Sequence, residues 1–120
     1  MLQQTSSDSV KTISLNRDKL WARLRAIAHR IRAAHSGVQD VRVFGSIARG
    51  DHVGTSDVDI LIILTDAPEQ NLPADRIERS LLFYRYFDLP IGVDLLVYTV
   101  SELEHKTPFL SRIYAESIPL

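Results

Sequence analysis

The chain lacks cysteine, lacks long apolar runs and carries almost no net charge. With no cysteine in 120 residues, it can form neither a disulfide framework nor a thiolate metal site. A net charge of −1 at pH 7 gives no general attraction to nucleic acids or to anionic membranes. No apolar run approaches the roughly 20 residues that cross a bilayer. We therefore expect a cytoplasmic protein that neither enters a membrane nor binds nucleic acid directly.

The remaining composition is that of an ordinary globular domain. Hydrophobic residues make up 45% and charged residues 24% of the chain, both typical values. This length suffices for one domain that buries about two thirds of its unfolded surface. Residues 1–14 are polar and lack the pattern of a signal peptide. We expect them to form a flexible N-terminal tail that precedes a single domain over residues 15–120.

Apolar spacing predicts alternating helices and strands. Leu20, Leu24, Ile27 and Ile31 recur at helical spacing, which predicts an amphipathic helix over residues 16–35. Strands are expected at residues 38–44, 56–64 and 91–98, and helices at 46–50 and 74–87. Two further helices are expected near the C-terminus, one starting at the Ser101–Glu104 capping box and one at Pro108. This order predicts an α/β (α+β) fold: a small mixed sheet of three or four strands, with helices packed mainly on one face.

Two short motifs flank the loop between the first two predicted strands. Gly45 and Ser46 form a turn after the first strand, and Asp57 and Asp59 open the second. Side chains two apart on a strand point the same way, so these carboxylates project together, about 6.5–7 Å apart at the backbone. Their repulsion favours a bound cation such as Mg²⁺, which prefers oxygen ligands. A glycine turn lets the backbone approach an anion closely, and a serine hydroxyl can donate to a phosphate. The combination predicts metal-assisted transfer to or from a nucleotide.

A third acid, Asp94, stands alone among the apolar residues of the third predicted strand. If this strand lies beside the second, Asp94 can ligate a second metal ion or accept the proton of an attacking hydroxyl. Arg49 can pair with phosphates, although a plain surface arginine explains it equally well. Each feature alone also fits a turn or a solvated acid, so only their conjunction indicates a site.

The motifs Gly45-Ser46, Ala48-Arg49-Gly50 and Ser56-Asp57-x-Asp59-Ile60, with the later Asp94, resemble the DNA polymerase β-like nucleotidyltransferase superfamily. More closely, the chain is similar to the minimal nucleotidyltransferases, the MNT antitoxins of HEPN/MNT toxin–antitoxin pairs. The resemblance covers residues 15–118. It implies a polymerase β-like core and a catalytic, metal-binding triad of Asp57, Asp59 and Asp94 with two Mg²⁺ ions. It also implies ATP as substrate and Gly45 and Ser46 as the phosphate-binding turn, and we add Arg49 and Ser56 to the candidate nucleotide-binding residues.

The function that the resemblance implies is transfer of AMP from ATP to a tyrosine hydroxyl of a cognate HEPN toxin, in a hetero-oligomer with that toxin. Two alternatives remain: a stand-alone enzyme that modifies a small-molecule hydroxyl, and a non-catalytic module that blocks a toxin by contact. The presence of all three acids argues against the non-catalytic module. A further question concerns the run 82–87, which holds more aromatic residues than one helix face needs. They either belong to the core or form a patch that faces a partner.

Overall fold

A computed structural model describes residues 17–50, 57–66, 72–105 and 107–120. The predicted tail at 1–14 and the candidate residue Ser56 lie outside these ranges. The elements, in chain order, are α1 (Arg17–Ala34), β1 (Val38–Phe44), α2 (Gly45–Arg49), β2 (Val58–Leu64), α3 (Arg76–Tyr84), β3 (Val93–Thr99), α4 (Val100–Glu104), α5 (Pro108–Glu116) and β4 (Ile118–Pro119).

The four strands form one mixed sheet in the order β3-β2-β1-β4. β2 runs parallel to β3, whereas β1 runs antiparallel to both β2 and β4. The central strand β2 is buried almost throughout, as its continuous run of apolar residues predicts for a strand covered on both faces. The predicted fold class is confirmed.

Each face of the sheet carries its own apolar cluster. On the first face, α1 and α3 cover every second residue of β2, namely Val58, Ile60, Ile62 and Leu64. On the second face, α4 and α5 contribute Leu103, Leu110 and Ile113, which pack on Leu61 and Ile63. The longest described helix, α1 with 18 residues, thus lies on the first face, whereas α3 and α5, with nine residues each, lie on opposite faces. None of the described helices has both the length and the hydropathy needed to cross a membrane.

Capping residues set two helix starts. The third helix begins later than predicted, at Arg76, because the Asp75 carboxylate accepts the N–H of Glu78 at 3.2 Å. The predicted capping box was placed at Ser101, but the capping residue is Thr99. Its hydroxyl accepts the N–H of Glu102 at 3.2 Å, and the Glu102 carboxylate accepts the N–H of Thr99 at 2.8 Å. Ser101 and Glu104 have the same three-residue spacing, but Thr99 is the residue with extended backbone angles (φ −79°, ψ 165°) directly before the helix, so the box forms at Thr99.

Candidate active site

Strand register brings two of the predicted acids side by side. Asp59 and Asp94 occupy paired positions of the adjacent parallel strands β2 and β3. The neighbours of Asp59, Val58 and Ile60, face the first cluster, so alternation points Asp59 to the second face. Asp57 precedes β2 and falls on the same face by the same alternation. The adjacency of the second and third strands, on which the predicted role of Asp94 depends, is present in the structure.

These carboxylates interact electrostatically. Burial raises the pKa of the Asp59 carboxyl above its usual value. The charges of Asp94 and Asp57 and a hydrogen bond with Asp94 raise this pKa further, while the charge of Arg49 opposes them. Asp57 and Asp94 are themselves exposed. Asp59 is therefore the half-buried member of an acidic group that opens to solvent.

Carboxylate oxygens of this kind suit a divalent cation, but the side chains do not converge on a common point. Among the described residues, no three His, Asp or Glu side chains stand close enough together to hold a metal ion as they are. Asp59 and Asp94 nevertheless lie close enough to interact, which raises the pKa of the Asp59 carboxyl. A hard cation at this position would relieve the repulsion between the carboxylates. The donor chemistry therefore fits Mg²⁺, and Asp57, Asp59 and Asp94 are the residues that would hold it.

Gly45 is required by the geometry of the site for two reasons. Its φ angle of +72° lies in the left-handed region that side chains disfavour. A Cβ at this position would also overlap Oδ2 of Asp59. The sequence predicts that this glycine lets the backbone approach an anion. In the structure its near neighbour is the Asp59 carboxylate, which places the Gly45-Ser46 turn directly against the acidic group.

Glu116 belongs to the site but was missed from the sequence. The N–H of Gly45 donates to Oε1 of Glu116 at 3.2 Å, and Nη1 of Arg49 lies 3.5 Å from the same oxygen. A carboxylate oxygen thus occupies the position at which the turn was expected to bind an anion. This contact joins residues 71 positions apart, and no local pattern in the sequence indicates it.

Several contacts fix Glu116 in this position. The guanidinium of Arg42 donates from Nε to Oγ of the adjacent Ser117 at 2.6 Å and pairs with Asp40 at 2.8 Å. It also lies over the ring of Tyr114, 4.7 Å from its centroid. Beyond Ser117, β4 pairs with β1. The end of α5 is therefore held beside the start of α2.

Gly92 is a second residue that the sequence did not single out. A Cβ there would overlap Oδ1 of Asp57, and its carbonyl accepts the N–H of Val58 at 2.9 Å. The missing side chain leaves room for the Asp57 carboxylate beside β3. A glycine two residues before a strand acid is only a weak signal in a sequence.

The structure gathers most of the predicted site residues in one place. The Gly45 turn contacts Asp59, and Arg49 lies close enough for its charge to lower the Asp59 pKa. Ser46 is half-buried in the first turn of α2. Ser56 remains a prediction, because it lies outside the described residues.

Comparisons with known proteins concern the sequence family and the fold. Residues 24–120 match the sequence family described as "Nucleotidyltransferase domain". The sequence matches none of the curated proteins with which it was compared. The fold is similar to that of a crystal structure described as a "putative nucleotidyltransferase" from Sulfolobus solfataricus. That similarity has a TM-score of 0.64 at 19% identity, and it covers 90% of this chain and 85% of the other.

Proposed function

The chain belongs to the nucleotidyltransferase domain family, and from this premise we propose that it transfers AMP from ATP to a hydroxyl group of a partner protein. One observation carries the proposal: the Gly45 turn lies against Asp59, which pairs in register with Asp94. A phosphate-binding turn and a carboxylate group in contact are what nucleotidyl transfer needs. Family and fold support the general reaction, while ATP, the metal and the acceptor are the proposed details.

The turn would bind the triphosphate through three groups. These are the N–H of Gly45, the hydroxyl of Ser46 and the guanidinium of Arg49, whose charge strengthens a hydrogen bond to phosphate. The single N–H of Gly45 donates to one acceptor at a time, and the Glu116 carboxylate would repel a phosphate at the turn. An incoming phosphate would therefore displace the Glu116 carboxylate from Gly45.

The reaction is an in-line displacement at the α-phosphorus. The acceptor oxygen forms a new bond to this phosphorus, the bond to the bridging oxygen of the β-phosphate breaks, and pyrophosphate leaves. Asp94, which is exposed, takes the proton of the acceptor hydroxyl. Two Mg²⁺ ions, held by Asp57, Asp59 and Asp94, would stabilise the charge on the phosphoryl oxygens.

The proposed acceptor is a tyrosine hydroxyl of a cognate HEPN toxin, which this modification would silence. The sequence motifs that resemble the MNT antitoxins support this choice. The exposure of Asp57 and Asp94 also supports it, because an open acidic group leaves space for a macromolecular acceptor. Transfer of this kind would take place in the cytoplasm, within a complex of the two proteins.

Labelling with α-³²P-ATP tests the proposal on the purified chain together with its HEPN partner. Label should appear on a partner tyrosine, identified by mass spectrometry. Asp94→Asn should lose the label while the complex persists, because one exposed carboxylate adds little to an interface of about 1,600 Å². Asp88→Asn, a change at an exposed acid outside the acidic group, is the matched control and should label normally.

Two other outcomes would replace the proposal. Label that reaches an added aminoglycoside but no protein would identify an enzyme acting on small molecules. Neutralisation of the toxin by Asp94→Asn without any nucleotide adduct would identify a module that acts by contact alone.

A further inference from the structure

Helix α3 carries a stripe of apolar side chains that faces away from the core. Ile77, Leu81 and Tyr84 are 71%, 69% and 49% exposed. Their spacing of four and three residues places them on one side of the helix, whereas Arg79 and Phe83 form the buried side. They are three of the six large hydrophobic side chains that are exposed in the described residues. Such a stripe is typical of a surface that docks a second helix.

Two charged residues flank this stripe. Glu78 and Arg85 are exposed and lie seven residues apart, so they stand on the same flank of the helix, about two turns from each other. Arg85 caps α3 and keeps helical angles, with φ −64° and ψ −17°. Within the described residues, neither side chain makes an ion pair or a hydrogen bond. The flank therefore presents one negative and one positive charge at heptad spacing.

This pattern is complementary to itself in an antiparallel arrangement. When two identical helices pack antiparallel, residues of one flank face residues of the same flank on the other helix, in reversed order. Glu78 of each copy then faces Arg85 of the other, which gives two ion pairs about a two-fold axis. We propose that α3 docks antiparallel against α3 of a second copy of this chain. Leu81 of each copy would pack on Tyr84 of the other.

The proposed dimer leaves the candidate active site open. α3 covers the first face of the sheet, whereas Asp59 and Asp94 point to the second. A groove of about 320 Å³ between α3 and β3 adjoins Ile77 and would offer a second copy contact area beyond the helix. A nine-residue helix with this groove buries less than a standard interface of about 1,600 Å², so the dimer should be weak and reversible.

Sedimentation equilibrium of the full chain tests the proposal, over about 5 to 500 µM, where weak interfaces dissociate. The wild-type protein should pass from monomer to dimer within this range. Leu81→Asp should weaken the dimer at least about a hundredfold, because each copy buries this leucine. Phe109→Asp, the same kind of change at a 62% exposed residue of α5, is the matched control and should leave the dimer unchanged. Both sites are exposed, and circular dichroism checks the fold of each variant.

Charge exchange distinguishes the antiparallel pair from other associations. Glu78→Arg and Arg85→Glu should each weaken self-association about tenfold, because two attractive contacts become repulsive. A mixture of the two variants should recover a dimer of wild-type strength. One copy then carries arginine at both positions and the other carries glutamate at both, so that unlike charges meet at each of the two contacts. The double variant should recover the dimer as well, because it exchanges the two charges within each copy.

Three results would overturn the proposal. The first is a wild-type protein that stays monomeric at 500 µM, whether or not another protein binds the stripe. The second is an equal effect of Leu81→Asp and Phe109→Asp. The third is a mixture of the two charge variants that associates no better than either variant alone.

Discussion

Replacing Asp59 by asparagine should stabilise the metal-free protein and abolish its activity at the same time. Asp59 is the half-buried acid of the group, and the charges of Asp94 and Asp57 oppose its ionisation. Asparagine has nearly the same volume, carries no charge, and can donate a hydrogen bond to Asp94. The substitution thus removes the repulsion between the carboxylate of residue 59 and those of Asp57 and Asp94.

The magnitude follows from Coulomb's law. Two charges about 4 Å apart repel by about 1 kcal/mol in water and about 4 kcal/mol near a protein surface. Because Asp57 and Asp94 are exposed, solvent screening places the net gain at about 1–2 kcal/mol. For a domain of this size the gain corresponds to a rise in Tm of about 4–8 °C. Asp88→Asn, at an exposed acid outside the group, should leave the Tm unchanged.

The effect should depend on pH and on magnesium. The folded pKa of Asp59 lies above its unfolded value of 3.8. The wild-type penalty is therefore absent below pH 3.8, grows as the pH rises through the folded pKa, and is complete above it. Mg²⁺ at ten times its Kd should stabilise the wild type by about 1.4 kcal/mol and the variant much less.

Differential scanning fluorimetry of metal-free protein, with and without Mg²⁺, measures these shifts, and labelling with α-³²P-ATP measures transfer. A variant that melts at or below the wild-type Tm at neutral pH would refute the proposed repulsion. A wild-type Tm that does not respond to Mg²⁺ would refute the metal site, whatever the activity of the variant.

Three further substitutions test other parts of the structure. Gly92→Ala should displace the Asp57 carboxylate and reduce transfer at least about tenfold with little loss of Tm, as kinetics and melting would record. Glu116→Gln should lower the Kd of ATP several-fold in calorimetric titrations, because a competing anion leaves Gly45. Burial acts to raise the pKa of Glu102, but hydrogen bonds from the Thr99 N–H and from Arg79 hold it below 4.5. Glu102→Ala should cost about 1–2 kcal/mol in urea unfolding. The stabilisation by Glu102 is present above pH 4.5 and is lost as the pH falls through the lowered pKa.

Much of the fold could be predicted because it depends on local patterns. The bounds of β1 match the prediction, and those of α1 differ by one residue, since alternation and helical spacing mark them within the elements themselves. The predicted capping box was wrong by two residues, because the hydroxyl of Ser101 lies close in sequence to that of Thr99, the actual capping residue. β4 spans two residues and pairs only with β1, which is too short for any periodicity to indicate.

The aromatic run at 82–87 contains both core residues and an exposed residue, which is why the sequence could not decide between a core role and a partner-facing patch. Phe83 and Phe87 are buried in the first cluster, whereas Tyr84 is about half exposed. Sequence alone does not say which side of a short helix faces the sheet, because apolar residues occupy both sides of α3.

The sequence by itself predicted the members of the candidate site. Residue type, strand alternation and spacing single out Gly45, Ser46, Asp57, Asp59 and Asp94, because each of these patterns spans only a few residues or one strand. Only the tertiary structure decided how these residues meet. Strand register pairs Asp59 with Asp94, and the clamped end of α5 brings Glu116 to Gly45 from 71 residues away. Contacts between distant segments depend on how whole helices and strands pack, and local sequence patterns do not predict that packing.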